Sequence, residues 1–220
     1  VDNLVIPFTF LFFLSLVILM TITYLKPNSN LCVVFKTLTS LGFLTIGTIG
    51  YLLGNGIPSA TYLLLGLVLC VIGDVALAFS HGYPLQYNMP AAIGITSFGC
   101  AHLSFIYCFI LLGASIPMYY VFIPIIIAFN IFLIMIKDPF NFGAMRFLVA
   151  IYAFIITFML IAAFCTHNPF IIFGAILFVL SDIVLCFVYF FADRYPILRS
   201  INYLLYYSGQ LLLAFVLCTL

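Results

Sequence analysis

Apolar runs of about twenty residues follow one another along the whole chain, separated only by short breaks. A run of that length crosses the hydrocarbon core of a bilayer as a helix. The breaks cut the sequence into eight spans, at about 5–25, 31–53, 60–80, 89–113, 118–136, 145–165, 169–191 and 200–220. Each break carries proline or glycine among polar residues, as connections do: Gly54-Asn-Gly-Ile-Pro-Ser59 and Lys137-Asp-Pro-Phe-Asn-Phe-Gly143 are examples. The expectation is an all-α membrane protein, one bundle of eight transmembrane helices over residues 1–220. Only 5% of residues are charged, too few to cover a soluble globule. The first run is too long and too poorly flanked for a cleavable signal peptide.

The cations give an orientation. Lys26, Lys36, Lys137, Arg146, Arg194 and Arg199 all lie in or beside the first, fifth or seventh connection. By the positive-inside rule the odd connections face the cytoplasm and both termini face the lumen or exterior. Six cations and a net charge of +1 argue against nucleic acid as a partner. Trp is absent, so Tyr24, Tyr83, Tyr119, Tyr120 and Tyr203, near span ends, are read as interfacial anchors. The seven cysteines form no C-x-x-C pair and read as small apolar residues, with neither a zinc site nor a disulfide framework. Three dispersed histidines, of which His81 and His167 fall in loops, make a poor metal site, and no metal is expected.

Two aspartates interrupt this pattern. Asp74 lies in Val71-Ile-Gly-Asp-Val-Ala-Leu-Ala-Phe79 and Asp182 in Val179-Leu-Ser-Asp-Ile-Val-Leu-Cys-Phe187. An offset of 108 residues (74 to 182) aligns the two stretches, pairing Gly66 with Gly174, Leu69 with Leu177, Val71 with Val179, Leu77 with Leu185 and Phe79 with Phe187. It also sets His102 against Gln210 and brings Lys36 within two residues of the equivalent of Arg146. The pairing predicts a four-plus-four parallel internal repeat, whose pseudo-twofold axis along the membrane normal would hold both aspartates at one depth, facing each other. A carboxylate near the bilayer centre costs about 2.5–3.5 kcal/mol. Neither aspartate has a polar neighbour three or four positions away on its own helix, so any partner must come from another helix. Intramembrane carboxylates mark pathways and sites more often than they merely pin helices together.

The remaining polar residues gather at the same end of the spans. Lys36, followed on its helical face by Thr39 and Ser40, lies about one turn into span two; Asn130 is in the cytoplasmic third of span five. Tyr152 lies in span six, Tyr206, Tyr207 and Gln210 in span eight, and His102 deeper, near the middle of span four. Together they predict a cavity open toward the cytosolic leaflet. Blander readings stand beside this one. Lys36 could snorkel to headgroups, His102 and Gln210 could be interhelical hydrogen-bond glue, and the tyrosines could be ordinary packing.

The set Lys36-Thr-Leu-Thr-Ser40, Gly73-Asp-Val-Ala-Leu77, His102 with Tyr107, Tyr152 with Met159, Gly174 to Asp182, and Tyr206-Tyr-Ser-Gly-Gln210 resembles the YhhN-like lysoplasmalogenase family of eight-span membrane proteins. The family commonly has proline after the span-two lysine, where Thr37 stands here; the Gly/Ala-Phe lead-in to the span-four histidine is matched only by Phe98 and Ala101. The resemblance implies hydrolysis of the vinyl ether bond of a lysoplasmalogen to a fatty aldehyde and glycerophosphoethanolamine or glycerophosphocholine, with no cofactor. Partners would be the lysophospholipid, water and membrane lipid, and the endoplasmic reticulum membrane or, in a prokaryote, the inner membrane would be the setting. Asp74 and Asp182 would be the acid–base pair. Lys36, Asn130, Tyr206, Tyr207, Gln210, His102 and Tyr152 would bind and orient the substrate and water. Two rivals remain: an intramembrane aspartyl protease, whose Gly-x-Gly-Asp would need glycine where Val71 stands, and a proton- or cation-coupled small transporter using midplane carboxylates.

Overall fold

In the computed structural model the described residues are 2–26, 29–54, 56–80, 88–137, 145–191 and 196–220, excepting the side chains of 2, 3, 137 and 189–191. They form eight helices: α1 (Asp2–Leu25), α2 (Asn30–Leu53), α3 (Pro58–Ala78), α4 (Met89–Leu111), α5 (Phe122–Lys137), α6 (Met145–Phe164), α7 (Pro169–Phe191) and α8 (Pro196–Thr219). Each is long and apolar enough to cross a membrane, α5 together with the turn before it over Met118–Ile136. The expectations for His81, Tyr83, Arg194 and the Lys137 side chain fall outside the described residues.

The helix limits follow local chemistry. α3, α7 and α8 begin at a proline, whose missing N–H costs nothing in the first turn. That is why α8 starts at Pro196, four residues before the expected limit. Asn88 caps α4: its side chain accepts from the Ala91 N–H at 2.9 Å and donates to the Ser80 carbonyl at 2.8 Å. α5 is preceded by a short 3-10 turn, Met118–Val121, and carries Pro124 in its first turn.

Bilayer helices gain little from hydrophobic burial against one another, so small residues and interhelical hydrogen bonds set their packing. α3 packs on α4 and α7 on α8; α1 packs on α2 and α5 on α6; α2 packs on α3 and α6 on α7; α2 also packs on α8 and α4 on α6. A shift of four helices turns the first member of each pair into the second. The same 108-residue offset governs single contacts. A side chain added at Gly66 would collide with Phe105, and one at Gly174 would meet Leu213, the equivalent of Phe105, at 3.1 Å. Gly94 lies against the Gly73 carbonyl, and its counterpart Asn202 donates to the Ser181 carbonyl at 2.7 Å. Phe98 and Tyr206, equivalent to each other, meet with ring centroids 5.9 Å apart, as residues beside a pseudo-twofold axis do. These recurrences support a duplicated four-helix unit.

The duplication is uneven at the periphery. α1 also packs on α8, whereas α5 packs mainly on α6 and the turn before it. Its apolar side chains, including Ile126, Phe129 and Ile134, are largely exposed to the surroundings.

Candidate functional site

Asp74 lies one turn before the end of α3 and is 2% exposed. α2 supplies two partners from one face. Lys36 and Ser40 are four residues apart, so their side chains lie one above the other. Lys36 Nζ is 3.6 Å from Asp74 Oδ1, and Ser40 Oγ is 2.7 Å from Oδ2. Ser40 has one hydrogen to donate; its alternative acceptor, the Lys36 carbonyl, is farther at 3.0 Å, and the carboxylate is the stronger acceptor. α8 supplies the third partner, as Tyr206 donates its hydroxyl to Oδ2 at 2.8 Å. Tyr207 braces the group by donating to the Lys36 carbonyl at 3.0 Å, with its oxygen 3.1 Å from Ser40 Oγ.

Lys36 therefore turns inward and does not snorkel. Its ammonium sits 5.9 Å from the centroid of the Tyr203 ring. Tyr203 itself is buried in this group, which corrects its expected place as an interfacial anchor; Tyr24 and Tyr119 are exposed.

Asp182 lies two turns from the end of α7 and is half-buried. Its surroundings differ. Tyr152 of α6 donates its hydroxyl to Asp182 Oδ2. Behind Tyr152 stands His102 of α4, fully buried, with Nε2 3.1 Å from the phenol oxygen. Ser181 Oγ is 3.5 Å from Oδ1, but its hydrogen goes to the Phe178 carbonyl at 2.7 Å. Among the described residues no cation pairs with Asp182, whereas Asp74 has Lys36.

The two carboxyls are held by different partners. Among the described residues no hydrogen bond joins them. Their surroundings meet through aromatic rings: Tyr206, bonded to Asp74, contacts Phe178 at 5.2 Å, and Phe178, one turn before Asp182, contacts His102 at 4.5 Å. Phe98, Phe178 and Tyr206 pack together edge to face. Cys70, matched to Phe178 by the offset, lies one turn before Asp74.

Gln210 extends the Tyr206 face of α8 by one turn and is fully buried. Neither polar atom of its amide has a hydrogen-bond partner among the described residues, and the same is true of His102 Nδ1. Asn130 is not brought to the site. α5 lies at the edge of the bundle, and the Asn130 amide is exposed and donates to the Ile126 carbonyl of its own helix at 2.8 Å. Ser40 is the residue that sequence reasoning left out of the site; its position four residues after Lys36 was the available signal. Among the described residues no three His, Cys or Asp side chains converge as metal ligands.

A family model described as the YhhN family matches residues 31–217. Neither a curated protein nor a solved structure matches the chain.

Proposed function

The chain belongs to the YhhN family, and from that premise we propose that it is a membrane hydrolase that cleaves the vinyl ether bond of lysoplasmalogens. Products are a fatty aldehyde and glycerophosphoethanolamine or glycerophosphocholine. The observation that carries the reading is the unlike setting of two carboxyls at equivalent positions. Asp74 is held by a cation and two hydroxyl donors, and Asp182 by a single phenol.

A vinyl ether is cleaved by acid chemistry. A proton added to the alkenyl carbon next but one to the ether oxygen leaves an oxocarbenium ion. Water then adds to the carbon bonded to oxygen and gives up a proton. The hemiacetal breaks its bond to the glycerol oxygen, which takes a proton as the hydroxyl loses one, and aldehyde and alcohol part. One group must give a proton while another is ionised to balance the cation and take the proton of water, the usual division between two carboxyls in unlike surroundings. Asp182, with no cation beside it among the described residues, is the proton donor in this scheme. Asp74, ion-paired and doubly hydrogen-bonded, is the anion.

Lys36 holds Asp74 and offers a charge to the substrate phosphate. Tyr206 and Tyr207 fix that group, and Gln210, whose buried amide is otherwise unmatched, orients water or a glycerol hydroxyl. We assign the odd connections to the cytoplasm from the cation distribution, so a lysolipid headgroup would enter from that side, in the endoplasmic reticulum or a bacterial inner membrane. The carrier alternative has less support, because α3 and α7 run unbroken through Asp74 and Asp182, without the interrupted helices of many transporters.

The test is aldehyde release from a lysoplasmalogen by the purified protein, beside Asp74→Asn and Asp182→Asn. Release by the wild type and loss in both variants supports the reading. Near-normal turnover in either folded variant defeats the two-carboxyl mechanism.

A further inference from the structure

Hydrogen counting along His102, Tyr152 and Asp182 leads beyond the pair of acids. Tyr152 has one hydroxyl hydrogen, and it goes to Asp182 Oδ2. Its oxygen can then only accept from His102, 3.1 Å away. His102 must carry its hydrogen on Nε2, which leaves Nδ1 as a bare acceptor. Nδ1 is the imidazole atom that is buried without a partner among the described residues. The opposite direction, with Tyr152 donating to Nε2, would bury an orphaned Nδ1–H, and orphaned N–H groups are rarer than under-satisfied acceptors.

The direction has a consequence at the acid. Oδ2 receives a hydrogen, so a protonated Asp182 carries its own on Oδ1. Among the described residues the one hydrogen-bonding group near Oδ1 is the Ser181 hydroxyl, at 3.5 Å, and that hydroxyl donates elsewhere. We propose that His102 and Tyr152 are positioning residues: a neutral His102 with its hydrogen on Nε2 points the Tyr152 hydroxyl at Oδ2 and so keeps the transferable proton of Asp182 on Oδ1. The proposal rests on the hydrolase reading, in which Asp182 is the proton donor. It gives His102 and Tyr152 a task other than binding the lipid.

Among the described residues the other half of the molecule shows no such chain. At the 108-residue offset Gln210 stands for His102, Cys70 for Phe178, and Leu44 for Tyr152. Asp74 takes its phenol from α8 instead. The ionisable groups nearest Tyr152 are Asp182 and Cys186 of α7 and Cys70 of α3, and His102 meets Tyr152; Lys36 lies with Asp74.

Two measurements on the full-length protein test the chain. The first is steady-state aldehyde release by the wild type, Tyr152→Phe, His102→Gln, His102→Leu and the double variant His102→Leu/Tyr152→Phe. Expected are a fall in kcat of roughly tenfold to a hundredfold for Tyr152→Phe with KM within twofold, and near-normal kcat for His102→Gln, which keeps an N–H donor. His102→Leu should fall like Tyr152→Phe, and the double variant no further, because one residue acts through the other. Additive losses, or changes confined to KM, overturn the proposal. The second is nitrogen-15 NMR of histidine-labelled protein, with His102 assigned by its absence in His102→Gln. A neutral ring with hydrogen on Nε2, changing to a mixture of tautomers in Tyr152→Phe, is the expected result. An imidazolium, an Nδ1–H ring, or a spectrum indifferent to Tyr152→Phe overturns it. If the wild type releases no aldehyde, the hydrolase reading fails, while the nitrogen spectrum still decides the hydrogen-bond chain.

Discussion

Asp74 and Asp182 occupy equivalent positions on α3 and α7, yet one is crowded with partners and the other nearly bare. Asp74 receives Lys36 and Ser40 from α2 and Tyr206 from α8. Asp182 receives Tyr152 from α6. The 108-residue offset matches the two positions, so the offset alone does not account for the difference. The source is which residue each neighbouring helix places opposite the carboxyl: Tyr206 where the other half has Phe98, and Tyr152 where the other half has Leu44. The offset matches the two acids on α3 and α7, and a few differences on the facing helices set what each touches.

The sharpest way to break the comparison is to neutralise each carboxyl in turn. Asp182→Asn and Asp74→Asn should each lower aldehyde release by roughly a hundredfold to ten-thousandfold, the usual range for a positioned acid or base. Loss in only one of them would leave a single working carboxyl.

The next effect concerns stability. Lys36→Met removes one partner of a buried ion pair and strands the other charge, which should destabilise the fold by about 3–5 kcal/mol. Adding Asp74→Asn should recover most of that loss. Unfolding midpoints in detergent measure both, and no recovery in the double variant would mean that Lys36 supports the fold through something other than Asp74.

A smaller change sharpens the contrast between equivalent positions. Tyr206→Phe makes position 206 like position 98 and takes one donor from Asp74, a loss of about 1–3 kcal/mol in stability. Phe98→Leu changes no hydrogen bond and should cost activity less than Tyr206→Phe; the reverse ranking in an aldehyde assay would remove Tyr206 from the site. The smallest effect is expected at the bundle edge. Asn130→Ala should move neither turnover nor the unfolding midpoint beyond about 0.5 kcal/mol, as for an exposed residue bonded to its own helix.

The spans were legible because hydropathy and breakers report directly on which residues leave the bilayer, and the observed ends differ by a few residues, mainly where a proline opens a helix. The gathering of polar residues was legible in part, since Lys36, Asp74, Tyr206 and Tyr207 meet in one group. The direction each residue faces was not. Asn130 was counted with them, but its helix touches little besides α6, and nothing in an apolar sequence names a helix's neighbours. Ser40 illustrates the converse. Hydroxyls in these spans usually bond the carbonyl four residues back, as Thr37, Thr45 and Thr48 do at 2.8–2.9 Å. Only the arrival of Asp74 at 2.7 Å sets Ser40 apart from them. The contacts among Phe98, Phe178 and Tyr206 were hidden for the same reason, since phenylalanine in a membrane helix carries no mark of what it faces.

Each carboxyl also leans on the opposite half of the chain. Tyr206, from the second four helices, serves Asp74 of the first, and His102, from the first four, stands behind Tyr152 and Asp182 of the second. A pair of separate four-helix subunits related by a twofold would have to present two identical sites, because every residue of one subunit has its copy in the other. Unlike acids need the two copies to vary independently. Joining both halves in one polypeptide removes that constraint, and the covalent link between α4 and α5 is what allows one bundle to hold two different carboxyls.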